Sequence, residues 1–373
     1  MGTHEHSAPA GRVPKQEQES ASTEVTEVGQ GILRLQLPSD FTGLGHVNCY
    51  AIEDSRGVTL VDPGLPTDES WEALKARLAD AGIPLARVHT VFITHSHPDH
   101  FGGAYRLIDE IHPEVLTSTA FRKFSDLFDL DETPLDSLDP LDPLDPADAS
   151  EATTILDVLA SMDEVQLAQR FPGFKVFRDR IREAVQEGRL DEVVWMKAPR
   201  PTLTVDDLEV VRFGGRDWIA LWTPGHTHDH LCMWSPEDGV ILTGDHVLPT
   251  ITPHIGGVLG GDPLASYLEN LDKVAALTGV TRVLPAHGHP FDDLAARCEA
   301  IKDHHIQRLQ QLVDAADEAG WALVPRWSEF LFAPRSRGPM ADSETLAHLD
   351  HLRLAGRAER RPVDGGYEYK VLD

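Results

Sequence analysis

A mixed α+β fold, a sandwich with its chemistry collected along one edge, is what this sequence predicts, and three observations predict it. Short β-like apolar runs alternate with stretches of helical apolar spacing, the rhythm of layered sheets and helices. Four of the predicted strand tips carry histidine or aspartate, at residues 95–100, His226, Asp245 and His287. And 41% hydrophobic content over 373 residues is enough for one large core or two smaller ones.

Taken in order, residues 1–23 are rich in Ser, Glu, Gln, Pro and Gly and read as a disordered tail. From Glu24 the pattern turns β-like, with runs at 31–37, 47–52 and 58–61 separated by Gly and Asp turns. The third run ends in Asp62-Pro63-Gly64, which puts a carboxylate at a strand tip where it can orient a ligand residue. A helix over 68–81 follows, with Trp71, Leu74 and Leu78 at helical spacing. Val88 to Ile93 reads as a buried strand feeding Thr94-His95-Ser96-His97-Pro98-Asp99-His100, and a helix is expected over 100–111. The Leu-Asp-Pro repeats of 135–146 can neither continue a helix nor pair in a central strand, so 130–200 reads as a linker plus a helical insertion, either a lid or a peripheral decoration. Strands resume at 208–213, 218–222, 231–235 and 240–246; a helix is expected over 263–276 and a last strand over 280–288. Residues 24–290 thus form one domain. Beyond it, 291–373 contains a long helix, an amphipathic helix at 343–352 and a β-hairpin split by Asp364-Gly365-Gly366.

The tips carry the function. Along extended backbone, alternate side chains share a face, so His95 and His97 can grip one ion. A lone histidine at a strand tip is usually a hydrogen-bonded turn residue, but four tips of this kind imply convergence on one edge. His95, His97 and His226 would hold one ion with an open position. Asp99, His100 and His287 would hold a second, with Asp245 bridging. The donor set suits zinc, and iron or manganese would also fit. Two divalent ions lower the pKa of a shared water and polarise a carbonyl or phosphoryl group, so hydrolysis is the expected chemistry, with Asp99 as the catalytic residue that orients the hydroxide and collects its proton. No Gly-x-Ser-x-Gly elbow is present, and Cys49, Cys232 and Cys298 lie in no catalytic signature.

These residues together resemble the metallo-β-lactamase superfamily: Asp62 of Val-Asp-Pro-Gly, the 95–100 run, Pro224-Gly225-His226-Thr227, Thr243-Gly244-Asp245 and Pro285-Ala286-His287-Gly288, in the family's order across about residues 24–290. The resemblance implies a four-layer αββα sandwich, the ligand assignment above, and Asp62 and His230 as outer-shell groups. Within the superfamily, His100 and Asp245 look more like glyoxalase II, RNase Z and the β-lactamase-like thioesterase group than like true β-lactamases. His254, in the stretch after Asp245, is a candidate substrate contact. The C-terminal helices and hairpin look like a small winged-helix domain, for which a packing or homodimerisation role is expected.

A formal charge of −28, from 61 acidic and 33 basic residues, argues against general binding to nucleic acid or anionic membrane. The N-terminus lacks an export-type apolar segment, so a cytoplasmic location is expected. The leading expectation is hydrolysis of a small acyl substrate, a thioester or lactone. The rivals are a phosphodiesterase or ribonuclease of the RNase Z kind and a DNA-binding regulator that uses the winged helix.

Overall fold

The computed structural model describes residues 15–39, 43–121, 198–256, 261–363 and 366–372. The Leu-Asp-Pro linker and nearly all of the helical insertion expected at 130–200 lie outside the described residues. Among the described residues no helix is long and apolar enough to cross a membrane.

Two mixed sheets face each other. The first has seven strands in sequence order: β1 (Thr26–Gly29), β2 (Ile32–Pro38), β3 (His46–Glu53), β4 (Val58–Val61), β5 (Val88–Phe92), β6 (Glu114–Ser118) and β7 (Leu203–Val205). Its first four strands are antiparallel and β4 to β7 run parallel. The second sheet has the order β12-β11-β10-β9-β8, built from β8 (Val210–Phe213), β9 (Arg216–Trp222), β10 (Leu231–Ser235), β11 (Val240–Gly244) and β12 (Arg282–Pro285). Strands whose every residue is buried, such as β4, β10 and β11, have no polar face, because each is covered on both sides.

Three apolar clusters define four layers. Between the sheets lie Tyr50, Phe92, Trp218, Met233 and Leu284. Outside the first sheet, helices α1 (Asp68–Asp80) and α3 (Ala104–Ile111) bury Trp71, Leu74, Leu78 and Leu107 against Val47, Leu60 and Val91. Outside the second, α4 (Pro263–Ala275) and the first half of α5 (Leu294–Asp314) pack Tyr267, Leu271, Cys298 and Ile301 on Cys232, Ile241 and Val283. Thr67, Asp262 and Asp293 cap α1, α4 and α5, each accepting from a backbone N–H three residues on. The helix expected over 100–111 is two pieces, α2 (Pro98–Phe101) and α3, because the N–H of Gly103 donates to Gly64 across the sheet edge instead of continuing the helical ladder.

Beyond α5 come α6 (Ala316–Ala319), α7 (Val324–Leu331) and α8 (Pro339–Leu354), with a three-stranded sheet, β13 (Ala322–Leu323), β15 (Gly366–Val371) and β14 (Ala358–Val363), around Trp327, Leu349 and Tyr369. Helix α5 contributes to two cores: Cys298 and Ile301 pack on the sandwich, whereas Leu312 belongs to the C-terminal cluster.

A further expectation is corrected within the described residues. Residues 15–23, placed in a disordered tail, hold structure. Gln16–Gln18 form a turn of 3-10 helix, Glu17 is fully buried, and Glu19 accepts from Nδ1 of His46 at 2.7 Å through its carbonyl. The polar composition misled because the polar groups themselves are the anchors: Glu17 accepts from the backbone N–H groups of Thr250 and Ile251.

Candidate metal centre

Strand direction gathers the candidate residues. β4 and β5 are parallel neighbours in the first sheet, and β9, β11 and β12 share a direction in the second, so five carboxyl ends open on one edge. Asp62 follows β4; His95, His97, Asp99 and His100 follow β5; His226, Asp245 and His287 follow β9, β11 and β12. The two sheets are tied at this edge by Asn48 and Tyr50, which donate to the carbonyl of Pro285 at 2.9 and 2.7 Å. His97 ends the extended run just before α2, and Pro98 opens that helix, so Asp99 and His100 project from its first turn.

The structure brings all seven expected ligands together as two adjoining sets, His95, His97, His226 and Asp245, and Asp99, His100 and His287. His97 Nδ1 lies 3.0 Å from His95 Nε2 and 3.1 Å from His226 Nε2. Asp245 reaches both sets: Oδ2 is 3.4 Å from His226 Nε2 and 3.7 Å from His100 Nε2, and Oδ1 is 3.3 Å from His287 Nε2. Asp99 stands 3.6 Å from both His100 and His287. The second set is buried, while His97 and His226 of the first are partly open.

The far ring nitrogens explain why the near ones are bare. His100 donates Nδ1–H to Asp62 at 2.9 Å, His226 to the carbonyl of His254 at 2.7 Å and His287 to the carbonyl of His46 at 2.5 Å. Thr94 gives its hydroxyl hydrogen to Asp62 at 2.8 Å and so accepts from His95 Nδ1 at 3.0 Å. Each of these four rings therefore turns a lone pair on Nε2 inward. Among the described residues, Asp99 Oδ2, His100 Nε2, Asp245 Oδ1 and His287 Nε2 are buried with no hydrogen-bond partner. Converging lone pairs and orphaned carboxylate oxygens repel unless a cation lies among them, and tetrahedral zinc with bonds near 2.1 Å would space its ligands by about 3.4 Å. The donors fit divalent ions.

The electrostatics divide between the two sets. Burial holds His95 and His97 well below the ordinary imidazole range, as neutral ligands require, and neighbouring imidazoles add to it. Burial also opposes charge on His100 and His287, but for His100 the carboxylates of Asp99, Asp62 and Asp245, and for His287 chiefly Asp245, outweigh it and raise both. For Asp245, burial raises and the imidazoles of His287 and His100 lower; the net direction is well down. Three buried carboxylates at one edge call for positive charge.

His230 lies beside the cluster without facing it: its Nε2 accepts from the backbone N–H of Asp245 at 3.1 Å, and Nδ1 meets the Thr223 hydroxyl at 2.8 Å. Asp62 likewise holds others in place, accepting from Thr94 N–H at 2.9 Å as well as from His100. His254 is a quarter exposed beside His226. Sequence reasoning missed His46, whose Nε2 accepts from Gly288 N–H at 3.0 Å while its carbonyl holds His287. It also missed Asp229, which accepts from Ser96 at 2.9 Å. A histidine at the start of a strand carries no signal for such a role.

Residues 42–287 match the model of the metallo-beta-lactamase superfamily. A probable metallo-hydrolase of Bacillus subtilis, YqjP, is 24% identical over 87% of this chain and 92% of its own length. A hydroxyacylglutathione hydrolase of a Synechococcus species is 29% identical over 43% of this chain and 58% of its own. Among solved structures, a metallo-beta-lactamase family protein from Thermus thermophilus superposes with a TM-score of 0.68 at 27% identity, covering 91% of this chain and 98% of that one. A beta-lactamase domain protein from Burkholderia ambifaria superposes with 0.70 at 24% identity, over 95% and 96%.

Proposed function

From the premise that this chain belongs to the metallo-β-lactamase superfamily and is a metal-dependent hydrolase, we propose that it hydrolyses a small acyl substrate, a thioester or lactone, with two divalent ions, zinc by donor type. The observation that carries the reading is the pair of adjoining donor sets sharing Asp245. His95, His97, His226 and Asp245 would hold one ion, and Asp99, His100, His287 and Asp245 the other. When bound, the ions supply Lewis acidity toward the acyl carbonyl and make water ionisable at neutral pH.

The chain's own residues do the rest. Asp99, buried with Oδ2 uncommitted, orients the attacking water and takes its proton. Asp62, the carbonyls of His46 and His254, and Thr94 keep the imidazoles fixed, so little reorganisation accompanies reaction. The acyl class is supported by the similarity to a hydroxyacylglutathione hydrolase, since a hydroxyacylglutathione is a thioester.

We read the C-terminal module as winged-helix-like, with a packing or homodimer role. Its arginines are largely engaged: Arg353 with Asp350, Arg361 with Glu368, and Arg360 over the Tyr367 ring, which leaves little free cationic surface for DNA.

The test is metal analysis of the purified protein together with a panel of thioesters, lactones and a phosphodiester. Two equivalents of metal per chain and thioester or lactone turnover are expected, with that turnover abolished in Asp99→Ala while thermal unfolding stays cooperative. Turnover unchanged by that substitution, or turnover of the phosphodiester alone, refutes the acyl-hydrolase reading.

A further inference from the structure

The loop that follows Asp245 runs from 246 to 256 with no helix or strand and carries His254 past the metal-bearing edge. Ile255 anchors it in the outer core, and three charged groups hold its polar backbone and side chains. Glu17 accepts from Thr250 N–H at 2.7 Å, from Ile251 N–H at 3.1 Å and from the Thr250 hydroxyl. Arg297 of α5 donates to the carbonyls of Leu248 and Ile251 at 2.6 and 2.5 Å. The third group comes from the C-terminal module. Glu344 of α8 sets Oε2 3.6 Å from Nδ1 of His254, while its Oε1 accepts from Arg308 of α5 at 2.6 Å.

Glu344 is almost wholly buried, so an unpaired carboxylate there would be costly. Burial alone would raise its pKa; His254 and Arg308 outweigh burial and hold it down to about 2. Of the three groups, only Glu344 engages His254 itself. His254 is also the residue whose carbonyl receives Nδ1–H of His226, which selects that ring's tautomer and aims its Nε2 at the cluster.

We propose that Glu344, carried by the C-terminal module and pinned by Arg308, is a positioning residue for the metal centre: it holds the imidazole of His254 and thereby the carbonyl that orients His226. The proposal rests on the metallohydrolase reading above and deepens it. The C-terminal module becomes a working part of the first donor set, reaching it from outside the sandwich.

The experiment uses full-length protein and zinc, with stepwise competition against a chromophoric chelator. Glu344→Ala is expected to weaken one of the two zinc equivalents several-fold, less than the about 10- to 100-fold for loss of a group that hydrogen-bonds a ligand directly, because it acts through His254, and to leave the other unchanged. Glu344→Gln, which keeps the volume and an acceptor for Arg308, recovers most of that loss. Asp350→Asn is the control: Asp350 is buried in the same helix, but Arg353, Arg360 and Tyr369, with which it pairs, all belong to the C-terminal module and not to the 246–256 loop. It is expected to lower Tm and leave both zinc affinities intact. If Glu344→Ala lowers Tm with both affinities unchanged, or if Asp350→Asn weakens zinc as much, Glu344 is only structural and the proposal fails. Wild-type protein that takes up no zinc or other divalent ion overturns the metallohydrolase reading itself, an outcome visible before any variant is compared.

Discussion

At His100 the ring nitrogen that faces away from the cluster decides what the other can do. Nδ1–H is committed to Asp62, so Nε2 is left as a lone pair, and the Asp62 charge makes that lone pair more basic. Asp62 adopts φ +52°, a left-handed conformation that asparagine also tolerates, so Asp62→Asn removes the charge and keeps the turn. That substitution is expected to weaken by about 10- to 100-fold the zinc equivalent that Asp99, His100 and His287 would hold, and to weaken the other less, since Asp62 reaches His95 only through Thr94. Chelator competition on this variant and Glu344→Ala side by side checks this, and identical profiles would contradict the two-set assignment. The clustered donors were legible from sequence as candidates because residue type and strand-tip context coincide at each. The groups behind them were not, because His46 and His254 act through backbone carbonyls, which any residue possesses.

Among the elements, the tip of β9 shows how closely the site is packed. Gly225 has φ +144°, and a Cβ there would lie 2.5 Å from Cβ and 2.6 Å from Cα of Tyr267 in α4. Helix backbone cannot retreat as a flexible side chain can. Gly225→Ala is therefore expected to destabilise by about 1–3 kcal/mol or more through overpacking and to displace the neighbouring His226. Thermal denaturation with parallel metal analysis measures both effects, and a variant of unchanged Tm and metal content would refute the role of this close approach. The sequence placed the Thr-Pro-Gly-His stretch at the tip of a strand, and it follows β9. That its glycine is demanded by a distant helix was invisible, because nothing local to the turn encodes the approach. The division of the expected 100–111 helix follows the same logic: the Gly103 N–H finds Gly64, a partner distant in sequence.

For the whole molecule, the seam between sandwich and C-terminal module is where solution conditions should act. His348 donates Nδ1–H to the carbonyl of Glu344 at 2.7 Å, so its Nε2 accepts from Nδ1 of His305 at 3.1 Å, an arrangement that requires His348 neutral, while burial disfavours charge on His305. Burial first, then mutual repulsion for His305, lowers that ring to about 3; burial likewise takes His348 to about 4. Both lie below the unfolded value near 6.5, so between these limits the unfolded chain binds more protons. The stability these neutral rings permit is therefore present above about pH 6.5 and is lost as pH falls toward 4. Denaturant unfolding from pH 7.5 to 4.5 should show stability falling, with a shallower fall in His305→Gln/His348→Gln; a double variant that keeps the wild-type slope would assign the loss elsewhere. By itself, the sequence determined the mixed α+β class, the strand-tip donors and, through them, the reaction class, because apolar periodicity and ligand chemistry are local properties of the chain. The tertiary structure alone decided that Glu17 and the segment around it fold onto the site loops, that α5 joins two cores, and that Glu344 reaches His254. Those contacts span about 90 to 230 residues and rest on where chain segments meet in space, which residue type and spacing do not carry.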